Sequence, residues 1–244
     1  MSEGLKNIDA YKQKAVLETL SRKSFNKLFC IGYNKTGTTS LEHILKLLGY
    51  KMPNQMEQEI RLVRQVYAGN FKPLIDFCGN FDAFQDMPFS QGVLYAQLDC
   101  LFPNSKFILT VRDSDEWFDS LIRFQTKGVL KRAGVTDIDQ VKEEDFKDKN
   151  LYLYKNYTYE NMKRHVTVVE HGNLKSDFSL LYDKQHRISI YEERNQQIIK
   201  YFSGRPNDLL VVDLAKENDI EKILSFLGLP LDLNIPVPKL NATK

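Results

Sequence analysis

The chain has 244 residues, 42% of them hydrophobic, enough for a sizeable core and unlike a disordered composition. Its 34 Lys and Arg nearly balance 32 Asp and Glu, which argues against a chain-wide grip on nucleic acid but leaves room for a local basic pocket. No stretch has the continuous apolar length of a bilayer-spanning helix, and residues 1–14 are polar rather than leader-like, so neither a membrane partner nor export is expected.

The three cysteines, Cys30, Cys78 and Cys100, lack metal-ligand spacing, and their odd number argues against a disulfide framework. Cys30 and Cys100 have apolar neighbours in sequence and are expected to be buried. A reduced, cytoplasmic compartment and no bound metal are expected.

In chain order, residues 8–21 have the period of an amphipathic helix, with Tyr11, Ala15, Leu17 and Leu20 as inward positions. Residues 28–32 form an unbroken apolar run, the signature of a central parallel strand buried on both faces. Leu41, Ile44, Leu45 and Leu48 then make a one-sided helical stripe, with Gly49 where a C-terminal cap belongs. Residues 55–67 read as a helix, 83–87 as a short strand ending at Pro88, and 89–101 as a helix. The second strong strand spans 106–111, and Asp113 with Glu116 three residues on marks the next helix start. Residues 209–214 form a third apolar strand, followed by a helix carrying Ile220, Ile223, Leu224 and Leu227, with Gly228 and Pro230 as stops.

Alternating strands and helices imply a single α/β domain over residues 1–244, with a parallel sheet between two helical layers. Ligands of such sheets bind at the carboxyl ends of the strands. Between about 129 and 187 the pattern changes: charges are dense, tyrosines gather (Tyr152, Tyr154, Tyr157, Tyr159, Tyr182), and no clear strand is visible. This reads as a mostly helical insertion, either a lid or acceptor-binding region or plain surface packing, with residues 135–150 polar enough to move.

Between the first strand and its helix lies Gly32-Tyr33-Asn34-Lys35-Thr36-Gly37-Thr38-Thr39-Ser40. A helix N-terminus attracts phosphate, Gly37 lets backbone wrap an anion, and Lys35 adds a full charge. The nucleotide-kinase loop places its lysine after the glycine, with a magnesium-binding hydroxyl next. Here Lys35 precedes Gly37. The order Lys35-Thr36-Gly37-Thr38-Thr39 resembles the 5′-phosphosulfate loop of sulfotransferases that use 3′-phosphoadenosine-5′-phosphosulfate (PAPS). Arg112 at a strand exit and Ser120 eight residues on match the same family's 3′-phosphate pair, and a strand-exit arginine suits a forked contact to phosphate. Relatives often carry proline after the Arg-Asp pair, where this chain has Ser114. The closing strand and helix are also similar, as is the tail 235–241. The resemblance covers about 28–124 and 191–241 and is strongest to a microbial branch of the family.

What the resemblance implies is a fold of the P-loop nucleotide type, PAPS as sulfuryl donor with its bisphosphate (PAP) as product, and no metal. Lys35 would meet the bridging oxygen, Thr36, Gly37, Thr38, Thr39 and Ser40 the 5′-phosphate, and Arg112 and Ser120 the 3′-phosphate. Where cytosolic relatives have a histidine two residues before a proline, this chain has Asp86 before Pro88. Asp86 is thus the candidate base, with Asp82 and Asp76 as alternates, although a carboxylate there can equally cap a helix or form a turn. The acceptor would be a small molecule or glycan offering a hydroxyl or amine. A P-loop kinase and a non-catalytic nucleotide-binding scaffold are the rival readings. His43, His165, His171 and His186 have no triad or metal spacing and read as surface or packing residues.

Overall fold

The computed structural model describes residues 14, 16–18, 24–216, 220–231 and 233. Within them the chain divides into two compact units, residues up to 112 with those from 195 onward, and residues 113–194.

The first unit is built on a four-stranded sheet in the order β2-β1-β3-β6, every pairing parallel. The strands are β1 (Leu28–Cys30), β2 (Ala83–Phe84), β3 (Lys106–Thr110) and β6 (Leu209–Val212). Side chains alternate across a strand, so each strand feeds two cores. Leu28, Cys30, Ala83, Ile108 and Val212 face a core shared with α1 (Thr38–Leu47) and α8 (Glu221–Leu227). Phe29, Phe84, Phe107 and Leu109 face the other, shared with α2 (Gln55–Tyr67), α3 (Lys72–Cys78), α4 (Leu94–Leu101) and the end of α7 (Lys184–Tyr201). Register places Phe84, Phe29 and Phe107 side by side. Phe29 then stacks on Phe84 and Phe89, with ring centroids 5.4 and 5.6 Å apart. The result is a sheet between two helical layers, the three-layer α/β/α arrangement expected.

The second unit opens with α5 (Ser114–Gln125), capped by the Asp113 side chain on the N–H groups of Asp115 and Glu116. The helix runs on through a π turn, Thr126–Leu130, to Ala133. Leu130, Val141, Phe146, Leu151, Met162, Val166, Phe178 and Leu181 give this unit its own core. Val141 and Phe146 thereby anchor the polar stretch 135–150.

Several expectations are corrected. The region 129–187 does contain strands: β4 (Thr167–Glu170) and β5 (Asn173–Ser176) form an antiparallel hairpin after α6 (Tyr157–Lys163). Its turn places His171 and Gly172 at φ of 49° and 80°. Leu17 faces outward and Val16 inward, so the first helix is rotated from its expected setting. Tyr11, Ala15, Leu20 and the tail 235–241 lie outside the described residues. Cys30 and Cys78 are buried, whereas Cys100 is exposed. Trp117 stacks on Tyr191 of α7, with ring centroids 4.3 Å apart and planes within 10°.

Candidate functional site

β2 and β3 flank β1 on opposite sides, so the chain switches direction at β1, where α/β sheets open a crevice. The crossing is tight. A Cβ on Gly32 would lie 2.1 Å from Thr110 Oγ1 and 2.6 Å from the Thr110 carbonyl oxygen, so only glycine lets β1 and β3 leave the sheet this close together. Beyond it, Lys35 takes φ of 76° and Gly37 takes 97°. A left-handed lysine is a costly conformation, of the kind found where backbone is bent round a ligand. Gly37 is the N-cap of α1 and makes no side-chain cap hydrogen bond.

The Thr36 hydroxyl donates to the Tyr33 carbonyl at 2.5 Å and lies 2.6 Å from Thr110 Oγ1, buried. It is spent inside the protein, and only the backbone of Thr36 is left to face a ligand. Thr38 and Ser40 are buried and Thr39 is partly exposed.

Asp86 follows β2 and shares the carboxyl rim with Lys35. It is buried, with φ of 60°. Asn34 Nδ2 and the Met87 N–H donate to its Oδ1 at 2.8 and 2.9 Å, and Gln55 Nε2 donates to Oδ2 at 2.9 Å. Gln58 of α2 donates to the carbonyls on either side, Gln85 at 2.8 Å and Met87 at 2.7 Å. Burial pushes the Asp86 carboxyl up, and Glu42 adds to the rise. The Asn34 and Met87 hydrogen bonds and the Lys35 charge pull it back, leaving it above the ordinary range. Lys35 and Asp86 are therefore within electrostatic reach of each other.

The alternates sit elsewhere. Asp82 precedes β2, its Oδ2 accepting from the Lys51 N–H at 3.1 Å, at the amino end of the sheet. Asp76 is exposed on α3 and pairs with Lys72 at 2.7 Å. Arg112 stands two residues past β3, at the rim, where Val111 N–H still bonds the Val212 carbonyl at 2.9 Å. Ser120 belongs to the second unit, buried on α5.

A family model described as a sulfotransferase domain matches residues 27–244. The chain belongs to that sulfotransferase family. The match runs through residues 125–190, which the loop and arginine motifs did not reach. No curated protein matches the chain. As a sulfotransferase domain it is a transferase, and its family generally draws on PAPS. Among the described residues no group of three or more His, Cys, Asp or Glu is placed to hold a metal ion, and no helix is long and apolar enough to cross a membrane.

Sequence reasoning missed Asn34, Gln55 and Gln58 as parts of this sulfotransferase's rim. The i, i+3 pair of glutamines at the start of a predicted helix was the one local signal available, since it puts two amides on one face.

Proposed function

We propose that this sulfotransferase moves the sulfuryl group of PAPS to a hydroxyl or amine of a small-molecule or glycan acceptor, with Lys35 and Asp86 as its catalytic residues. The observation that carries the reading is the uncapped, left-handed Lys35–Gly37 turn at the switch point, with a buried carboxylate on the same rim. PAPS would supply a sulfuryl group on a phosphate oxygen that leaves with the bonding electron pair.

The chain's part is positioning and charge. The backbone of Thr36 and Gly37 with Thr38, Thr39 and Ser40 would hold the 5′-phosphate at the start of α1. Lys35 would stabilise charge on the departing oxygen, an electrostatic task that needs no covalent help. Arg112 and Ser120 would take the 3′-phosphate that ATP lacks, giving donor selectivity. Asp86 would accept the acceptor's proton, and its raised affinity for a proton makes it a better base than an ordinary carboxylate. The three free thiols fit a reducing, cytoplasmic setting.

Titration calorimetry with adenosine 3′,5′-bisphosphate in the absence of magnesium should show binding, with ATP far weaker. Transfer of labelled sulfate from PAPS to a panel of phenols, alcohols and amino sugars should drop by about 10²–10³ in Lys35→Ala, the usual cost of one preorganised transition-state contact. Preference for magnesium-ATP, or equal inertness of wild type and variant, would sink the reading.

A further inference from the structure

The carboxylate of Asp86 is held asymmetrically. Oδ1 accepts two hydrogen bonds, from Asn34 Nδ2 and the Met87 N–H, which fill its two lone-pair sites. Oδ2 accepts one, from Gln55 Nε2, and keeps one site open. The same Gln55 nitrogen donates its second hydrogen to Glu59 Oε1 at 2.8 Å. Glu59 is 1% exposed, one turn further along α2. With a carboxylate on each side, only the NH2 end of the Gln55 amide can face both. The amide's orientation is thereby fixed without reference to any ligand.

The backbone is fixed as well. The two amide hydrogens of Gln58, itself 1% exposed, hold the carbonyls before and after Asp86, so a residue at φ of 60° stays in a conformation that it would otherwise leave. Two side chains from separate segments, Asn34 and Gln55, thus converge on one carboxylate while Gln58 holds the backbone on either side of it, and one lone pair of one oxygen is left uncommitted.

We propose that Gln55 is the positioning residue of this site, directing the open lone pair of Asp86 Oδ2 to take the acceptor's proton, while Asn34 fills Oδ1 and Gln58 locks the loop. The acceptor's O–H or N–H bond breaks, its proton goes to Oδ2, and the acceptor atom attacks sulfur with an electron pair, while the bond from sulfur to the donor's phosphate oxygen would break and leave its pair on that oxygen. The proposal rests on Asp86 being the base. The two oxygens are then unequal: the Gln55 donor lies beside the proton's destination and the Asn34 donor on the far side. Removing either donor takes away a bond to the charged form and raises the carboxyl's proton affinity, but only the loss of Gln55 lets Oδ2 swing from its aim.

The test has a donor-free arm and a turnover arm. Carbon-13 NMR titration of aspartate-labelled protein without nucleotide, with the Asp86 signal assigned by Asp86→Asn, should show the pKa rising by about one unit in Gln55→Leu and in Asn34→Ala. It should rise further in Gln55→Glu, where two carboxylates face each other. In sulfate transfer to the phenol and amino-sugar panel, Gln55→Leu should lose at least about tenfold in kcat, with bisphosphate affinity unchanged, and Asn34→Ala clearly less. Gln55→Asn, which keeps the amide but cannot span Glu59 and Asp86 together, should fall with Gln55→Leu if the latter folds poorly. Titrations identical to wild type, or a larger kcat loss in Asn34→Ala than in either Gln55 variant, would overturn the proposal. A fully active Asp86→Asn would instead remove Asp86 as the base, and with it the parent reading, whatever the titrations show.

Discussion

Thr36 Oγ1 and Thr110 Oγ1 meet at 2.6 Å in the buried floor of the rim. Because the Thr36 hydroxyl already donates to the Tyr33 carbonyl, Thr110 must be the donor in this pair. The bond ties the turn that carries Lys35 to the end of the strand that leads to Arg112. Thr36→Val keeps the shape but leaves the fully buried Thr110 hydroxyl without its acceptor, a cost of about 1–3 kcal/mol. The expected outcome is a lower denaturation midpoint together with weaker adenosine 3′,5′-bisphosphate binding by calorimetry. Thr36→Ser, which keeps the hydroxyl, should restore most of both.

Gly32 makes a sharper prediction. In Gly32→Ala the methyl would fall 2.1 Å from Thr110 Oγ1 and inside contact distance of two Thr110 backbone atoms, which cannot rotate aside as a flexible side chain would. The strands must part at the switch point. Overpacking of this sort costs on the order of 3 kcal/mol, measurable by urea unfolding. The loss should be larger than for alanine at Gly69 or Gly134, where an added Cβ meets nothing within 4 Å.

The parts legible in the sequence are those that a short window determines. β1 and the Phe107–Leu109 run of β3 are continuously apolar because both of their faces are covered, β6 is apolar too although Val211 is exposed, and α2 begins and ends where its pattern does. The Lys35–Gly37 turn is equally local. The hairpin β4–β5 escaped because almost every one of its side chains is exposed, so burial imposes no alternation on it. Cys100 escaped because apolar neighbours in sequence say nothing about which side of α4 it occupies. Beyond the i, i+3 spacing of Gln55 and Gln58, the holders of Asp86 could not be read: Asn34 lies 52 residues away and Gln55 31, and only the fold brings their amides to one carboxylate.

As the proposed base, Asp86 would also set the acid side of the activity profile. Only its ionised form can accept a proton, and burial raises the pH at which that form appears. The rate should therefore fall as pH drops through a pKa above the ordinary carboxylate range, with bisphosphate binding much less affected. The check is kcat/KM against pH for wild type and Asp86→Glu. A flat acid limb down to ordinary carboxylate values would contradict it.

In the second unit, Trp117 and Tyr191 stack with centroids 4.3 Å apart and planes within 10°, both buried. Trp117→Ala removes a buried ring stacked between α5 and α7 and should cost about 3–5 kcal/mol, with Trp117→Phe losing much less. Urea midpoints followed by circular dichroism decide it, since the variant has lost the chain's one tryptophan.

His165 is partly buried, and desolvation followed by the charges of Arg187, Arg164 and His186 holds its pKa well below 6.5. His186 Nε2 lies 2.7 Å from the His165 carbonyl oxygen, so the two histidines sit together. The folded state keeps His165 neutral at a pH where the unfolded chain protonates it, so the unfolded state binds more protons and stability drops as pH falls. The loss begins near the ordinary value of 6.5 and continues down to the folded pKa. Urea midpoints from Trp117 fluorescence should decline through that window in wild type, and the decline should be shallower in His165→Gln, which cannot take the proton. Equal slopes in the two proteins would assign the acid sensitivity to other groups.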